Sequence, residues 1–365
     1  MLAVTCPTIR DEANLTMPPI IGVVTRTKDR TVLLTRALES VLNQTYQNWI
    51  QVIVNDGGNA AEVDELIRDY APQYEGRLRV LHHATSKGME AASNAGLKYI
   101  LNEVDYVVIH DDDDSWAPDF LKIALAELTL SREEIPTVRG VITQANCVYE
   151  EINGALVNIT DVEPFLPWVN QGIVSFDSML HQCQFAPIQF LYHKDVLNEI
   201  GFYREDLPVL GDWEFNLRFL KRYDICIVPH YLAFYHHRRS LHGSYSNSVF
   251  GAKDKHELHR QRLKNEWVRD DLKSGAAGLG ALANERVMLE QLNHRLQQMK
   301  DRLDRLAGTK PQEKIGVKAA RLLIETGRPF HYLRRFVYFL RRNGLRSALA
   351  RARFWLQIKS GQIVP

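Results

Sequence analysis

From Pro18 onward, short apolar runs alternate with longer stretches in which apolar residues recur every three or four positions. Ile20 to Thr25, Ile50 to Asn55, Leu78 to His82 and Tyr106 to His110 are brief, rich in β-branched residues and followed by polar or glycine-containing segments, the pattern of strands buried on both faces. Val32 to Leu42, Glu62 to Tyr70 and Met89 to Leu101 carry the helical period between them. This alternation predicts an α/β fold: a Rossmann-like, mostly parallel sheet with helices on both faces and ligands at the carboxyl ends of its strands. The segment from Val138 to Leu191 is less regular. It predicts a hairpin, Val141 to Tyr149 and Leu156 to Thr160 across Asn153-Gly154, then a stretch broken by Pro164 and Pro167, and reads as an insertion that shapes a pocket. Lys194 to Ile200 and Asp212 to Arg222 are helical in pattern, and Ile225 to Val228 is a further strand.

A different pattern begins near Asp254. Leu282, Leu289, Leu296 and Leu303 recur at seven residues, with Leu292, Met299 and Leu306 in the complementary position, which predicts a long helix with an apolar seam. Arg295, Lys300 and Arg302 flank the seam and would face like charges in a parallel homodimer, so a coiled-coil homo-oligomer and an intramolecular packing both fit. After Gly308 and Pro311, Tyr332, Leu333, Phe336, Val337 and Leu340 share one helical face while Arg334, Arg335, Arg341 and Arg342 crowd the others. A basic amphipathic helix with aromatic residues suits the interface of an anionic membrane. Docking on the acidic body is the competitor; nucleic acid is disfavoured because the aromatics do not interleave with the basic groups. The expected division is an N-terminal extension (1–17), an α/β domain (18–252), a helical linker with the heptads (253–310) and a basic tail (311–365).

Composition sharpens this division. The 365 residues are 45% hydrophobic and 24% charged, which excludes disorder along the whole chain. The net charge of +1 conceals a polarity: Gly327 to Pro365 holds nine Lys or Arg and no acid, leaving 36 basic against 44 acidic residues before it. No run approaches the ~18 to 20 apolar residues of a membrane span, and Asp11 and Glu12 interrupt the N-terminus before a signal sequence could form. The expected location is cytoplasmic, peripheral on the inner face of the cell membrane. The four cysteines form no Cys-x-x-Cys pair, so free buried thiols are expected instead of a zinc ribbon or a disulfide framework.

The chemistry concentrates at Asp111, Asp112, Asp113 and Asp114, directly after the fourth strand. Four adjacent carboxylates repel one another unless a cation neutralises them. A helix-loop-helix calcium site fails, because Trp116 stands where glycine must turn and Lys122 where the bidentate glutamate belongs; an acidic helix cap before the helix after Pro118 remains a structural alternative.

Four segments in order, Ile21 to Arg30, Ala37 to Tyr46, Val54-Asn-Asp-Gly-Gly58 and Asp111-Asp-Asp-Asp-Ser-Trp-Ala-Pro118, resemble the successive motifs of the family 2 glycosyltransferases of the GT-A fold, as found among bacterial surface-polysaccharide enzymes. The resemblance runs from about Pro18 to Asn247 and leaves out the heptads and the tail. It implies that Arg26, Thr27 and Lys28 cradle a nucleotide and that Asp56 meets its base, although Asn55 and Gly58 depart from the usual Asp and Ser. It implies that Asp113 is the main metal ligand, that Asp111 lies near ribose and metal, that Asp112 belongs to the donor site, and that the ion is Mn2+ or Mg2+. Gly88 to Asn94 resembles a Gly-x-x-x-Ala-Arg-Asn element, with Asn94 retained at the donor site but Ser93 in place of arginine; Lys87, Arg238 or Arg239 could supply the missing charge. Gly211-Asp-Trp-Glu214 resembles the Glu-Asp-x-(Asp/Glu) motif that supplies the general base, here Asp212, with Gly211 in place of the first acid and Glu214 as the fallback. Read alone, Asp212 would more often be a plain N-cap. Tyr235 to Gly243 is expected to be a mobile loop over the diphosphate, with His237, in preference to His236 or His242, completing the metal site.

The activity implied is metal-dependent, inverting transfer of a sugar from a UDP-, GDP- or dTDP-linked donor to a hydroxyl of a glycan or lipid-linked acceptor. A non-catalytic glycan-binding or scaffold protein on a degenerate domain is the alternative, suggested by Asn55, Ser93 and Gly211 and opposed by Asp111, Asp113 and Asp212. A nucleotidyltransferase is disfavoured, since no Gly-rich phosphate loop followed by Lys or Arg is present.

Overall fold

The computed structural model describes residues 17–153, 156–238, 253–276 and 278–307. The chain divides into a first unit ending at Lys264 and a second beginning at Asn265. Residues 1–16, Gly154, Arg239, His242 and the basic tail lie outside the described residues.

The first unit begins with β1 (Ile21–Thr27), α1 (Thr31–Leu42), β2 (Trp49–Asp56), α2 (Ala60–Tyr74), β3 (Leu78–His83), α3 (Met89–Ile100) and β4 (Tyr106–Ile109). It continues with β5 (Ser115–Trp116), α4 (Phe120–Glu134), β6 (Val138–Asn153), β7 (Leu156–Phe165), α5 (Phe176–His181), β8 (Phe190–His193), α6 (Val196–Ile200), α7 (Gly211–Leu220) and β9 (Asp224–His237). One sheet runs in the order β3-β2-β1-β4-β8-β6-β9-β5, with β7 paired to β6.

The expected parallel sheet is found across β3, β2, β1 and β4, where Val24 pairs with Val52 on one side and Ile109 on the other. Beyond β4 the sheet is mixed: β8 runs antiparallel to both β4 and β6, β7 antiparallel to β6, and β9 parallel to β6. Helices cover both faces, as expected. On one, Leu34, Leu38 and Val41 of α1 and Phe120, Leu121 and Leu128 of α4 join Ile21, Val23 and Val108 in the main core. On the other, α3 approaches closely because Gly96 has no side chain; a Cβ there would lie 2.4 Å from Val24 Cγ1.

Two expectations are corrected here. The segment from Val138 is not an insertion: β6 is a 16-residue strand that pairs with β7, β8 and β9. Its apolar signal is broken by Thr143, Gln144 and Glu150, all buried despite their polarity. Likewise β9 does not end at Val228 but continues through Tyr235 and His236 to His237, which are strand and not loop. Its register against β6 shifts around Pro229 and His230, so that Val228 faces Thr143 while Tyr231 faces Gln144.

Cys147, Cys183 and Cys226 form no disulfide among the described residues; burial pushes the Cys226 thiol up to about 11. The first unit also takes in the start of α8 (Lys253–Ser274), where Leu263 is buried and Arg262 pairs with Asp206 at 2.9 Å. In the second unit, α9 (Leu279–Ala307) is the long helix that the heptads predict, with Leu289 and Met299 exposed. Among the described residues no helix is long and apolar enough to cross a membrane.

Candidate active site

Because β2, β1 and β4 are adjacent and parallel, the residues at their carboxyl ends converge. Arg26 and Thr27, Asp56, and Asp111 to Asp113 line one cavity of about 480 Å³, closed from other sides by Lys28, Arg30, Glu90, Asp212, Tyr235 and His256. Switch points of this kind are where open α/β sheets bind ligands.

The four aspartates are held by cations and donors from remote positions. Arg26 donates from Nε to Asp111 Oδ1 at 2.7 Å and from Nη2 to Oδ2 at 3.3 Å. Asp112 accepts from the Thr27 hydroxyl at 2.7 Å, and Arg30 Nη1 lies 3.4 Å from both Asp112 and Asp113. Arg238 binds Asp113 from the far end of β9. Asp114 is turned away from the cavity and accepts from the backbone N–H of His236 at 2.8 Å. Burial, reinforced by Asp113, pushes Asp112 up to about 7; burial likewise holds Asp114 well above the carboxylate range. The quartet is therefore divided, with Asp111, Asp112 and Asp113 at the cavity and Asp114 tying β9 to the loop.

Behind Asp113 lies a network that the sequence reading missed. Glu150 of β6 accepts from Arg36 Nη2 at 2.8 Å, His236 Nδ1 at 2.9 Å and Arg238 Nη1 at 2.7 Å. Although burial favours its neutral form, His236, Arg36 and their hydrogen bonds hold its carboxyl down at about 2.

Asp56 caps a second loop. One oxygen accepts from His83 Nδ1 and the Lys87 N–H, both at 2.8 Å, and the other from the Ser86 hydroxyl at 2.6 Å and the Gly88 N–H at 2.9 Å. Burial would raise its pKa, but these donors lower it to about 2. Its carboxylate, expected to meet a base, is thus engaged in organising the 83–88 turn at the cavity wall. Gly57, at φ 75°, lets that turn close, since a Cβ would lie 2.3 Å from the Ser86 nitrogen.

Asp212 sits in the first turn of α7 and lines the cavity. The helix cap is Leu210, so the plain N-cap reading of Asp212 does not hold. Burial raises the Asp212 pKa, partly opposed by the Trp213 N–H and Arg26. Glu214 is no substitute for it: the Arg218 guanidinium binds its carboxylate from Nε at 2.8 Å and Nη2 at 2.8 Å.

Two expected site residues lie elsewhere. Asn94 does not line the cavity; it donates to the Tyr203 carbonyl and Glu205, each at 2.8 Å, and accepts from the Tyr203 N–H at 3.0 Å, pinning α3 to the segment before α7. His237 does not join the aspartates. Its ring packs between Tyr149 (5.6 Å) and Tyr235 (4.2 Å). Among the described residues no three His, Cys, Asp or Glu side chains are arranged as a metal cage. The carboxylates of Asp111 and Asp113 nevertheless fit a hard divalent ion of the kind that takes one or two protein carboxylates and completes its shell with substrate phosphate.

Residues 23–147 match the model of glycosyl transferase family 2. The match spans the stretch that brings Arg26, Asp56 and Asp111 to Asp113 to the cavity, and it supports a transferase enzyme. The chain is 28% identical over 247 residues to the uncharacterized glycosyltransferase YwdF of Bacillus subtilis, covering 67% of this chain and 84% of that one. It is 32% identical over 108 residues to the putative colanic acid biosynthesis glycosyl transferase WcaA of Escherichia coli, covering 30% of this chain and 37% of the relative. Among solved structures, S. aureus TarS 1–349 in complex with UDP-GlcNAc aligns at a TM-score of 0.48 and 19% identity, over 63% of each chain. The chain thus spans less than two thirds of WcaA and of this solved relative.

Proposed function

We propose that the protein is a metal-dependent, inverting glycosyltransferase that moves a sugar from a UDP-, GDP- or dTDP-linked donor to a hydroxyl of a glycan or lipid-linked acceptor in bacterial surface-polysaccharide synthesis. The observation that carries this reading is the meeting of Asp111 and Asp113, from the end of β4, with Asp212, from α7, in a cavity that also holds Arg26, Lys28 and Arg30. Carboxylates on one side and cations beside them suit a diphosphate at one end of the cavity and a proton acceptor at the other.

Arg26, Lys28 and Arg30 hold the donor phosphates electrostatically, and the 83–88 turn ordered by Asp56 supports the nucleoside. Asp212 takes the acceptor proton as the acceptor oxygen bonds to the anomeric carbon; the bond to the nucleoside diphosphate breaks, and displacement from the opposite face inverts that carbon. Asp111 and Asp113 would hold a divalent ion, Mn2+ or Mg2+, which when bound would neutralise the charge of the departing diphosphate. The basic tail is assigned to an anionic membrane at the cytoplasmic leaflet, each basic residue contributing about 1 kcal/mol there, and the heptad helix to spacing or self-association.

Transfer or hydrolysis with UDP-, GDP- and dTDP-sugars and Mn2+ is expected for the wild type and not for Asp113→Ala or Asp212→Asn. Equal activity in all three proteins refutes the assignment. Flotation with anionic liposomes should require residues beyond Thr326; undiminished flotation after truncation there removes the tail from the model of attachment.

A further inference from the structure

Two departures from the motif pattern, Ser93 and Gly211, meet at one point in the fold. Arg26 reaches from β1 to donate from Nη1 to Ser93 Oγ at 3.0 Å, so a guanidinium from another element stands against the residue that replaces arginine. Glu90, three positions earlier on α3, presses its carboxyl against Gly211: a Cβ at 211 would lie 2.3 Å from both Cδ and Oε1 of Glu90. The Glu90 carboxyl thus fills the volume that a side chain at 211 would enter. Arg26 Nη1 and Glu90 Oε2 are 3.7 Å apart. The absent cation and the absent acid are both present in space, contributed by residues 26 and 90.

Glu90 also has the properties of a ligand-binding group. It lines the same cavity as Asp212 and is only 5% exposed. Its Oε2 accepts no hydrogen bond among the described residues, a costly state for a buried carboxyl unless something else fills it. Burial, opposed by Arg26 and reinforced by Asp212 and Asp111, pushes its pKa up to about 7. Such an acid repels a diphosphate but pairs well with neutral hydroxyl groups, donating when protonated and accepting when ionised. Sugar hydroxyls are the neutral groups that glycosyl transfer brings into this cavity.

We propose that Arg26 and Glu90 replace, from other elements, the arginine and the acid missing at positions 93 and 211, and that Glu90 binds hydroxyls of the transferred sugar beside Asp212. The sugar-binding role rests on the glycosyltransferase reading; the exchange of positions does not.

Calorimetric titration with UDP, UDP-glucose, UDP-GlcNAc, GDP and GDP-mannose tests the first part. Glu90→Gln should weaken the sugar nucleotide that the wild type prefers by about tenfold, the usual scale for a hydrogen bond to a charged group, while the matching free diphosphate binds within about twofold of wild type. Equal weakening of both, or of neither, overturns the role. Thermal unfolding tests the exchange. Gly211→Glu alone should lower Tm because the two side chains collide, and Glu90→Ala/Gly211→Glu should recover both Tm and the preference for sugar nucleotide over free diphosphate. A double variant no more stable than Gly211→Glu overturns the exchange. A wild type that binds none of these compounds, nor dTDP or dTDP-glucose, overturns the glycosyltransferase reading and the sugar-binding role together, while the Tm cycle still decides the exchange.

Discussion

Replacing Glu150 by Gln keeps the side-chain volume but puts an NH2 group among donors. Glu150 is fully buried, and its two oxygens accept from Arg36, His236 and Arg238. His236 is neutral at pH 7, because burial lowers its pKa, so it donates from Nδ1 to Glu150 while its Nε2 accepts from the Ser115 hydroxyl. The substitution therefore removes the carboxylate paired with Arg36 and leaves Arg238 with Asp113 in place of two carboxylates. A carboxyl pKa lowered from 4.5 to about 2 corresponds to about 3 kcal/mol of stability. Breaking a buried ion pair from one side independently gives roughly 3 to 5 kcal/mol. The agreement fixes the expected loss at about 3 kcal/mol, or roughly 6 to 12 °C in Tm for a domain of this size. Because the folded pKa is depressed, the contribution is complete above the unfolded value of 4.5 and disappears as the pH falls toward 2. Urea unfolding of wild type and Glu150→Gln should thus differ fully at pH 7 and converge below about pH 4.5. A loss under about 1 kcal/mol at pH 7, or a gap that stays constant down to pH 3, would refute the reasoning.

Asp56→Asn cannot satisfy four donors and should destabilise by about 2 kcal/mol at pH 7, the difference fading as the pH falls from 3.8 toward 2; thermal scans at pH 7 and pH 3 check it. Gly57→Ala combines a positive φ with contact against the Ser86 backbone, so a loss above about 1 kcal/mol with weakened nucleotide binding is expected in unfolding and titration experiments. Burial lowers His110 from 6.5 to about 4, so its protonation favours the unfolded chain: stability is full above pH 6.5 and declines as the pH falls to 4. His110→Gln should flatten that slope in urea titrations, and an unchanged slope would assign it to another group.

What was legible in the sequence follows from burial. Strands β1, β2 and β4 are covered on both faces and read as short runs rich in buried β-branched residues, so the parallel half of the sheet and the positions of Asp56 and Asp111 at its edge could be placed in advance. β6 could be placed as the first strand of a hairpin, which its antiparallel pairing with β7 bears out, but not as a central strand of the sheet, because the polar residues that break its pattern are buried through partners distant in sequence: Gln189 donates to the Thr143 carbonyl, and Glu150 needs Arg36 and Arg238. On β9 it is His236 that points at Glu150 and Ser115, while His237 packs on Tyr149 and Tyr235. His256 and Glu90 had no motif to mark them, although the paired departures at Ser93 and Gly211 were a signal for Glu90.

The arrangement of charge also bears on how the chain reaches its native state. The aspartates are consecutive, yet the arginines that neutralise them lie 85 residues away for Arg26, 83 for Arg30 and 125 for Arg238. Nothing local can relieve their repulsion, so that end of the sheet gains its compensation only after the most distant loops have closed. Refolding should therefore begin from a chain in which these carboxylates oppose compaction, and moderate salt, which screens exposed like charges more than the finished buried pairs, should speed it. A stopped-flow refolding rate that falls or stays level between 0.05 and 0.3 M NaCl would contradict this order of events.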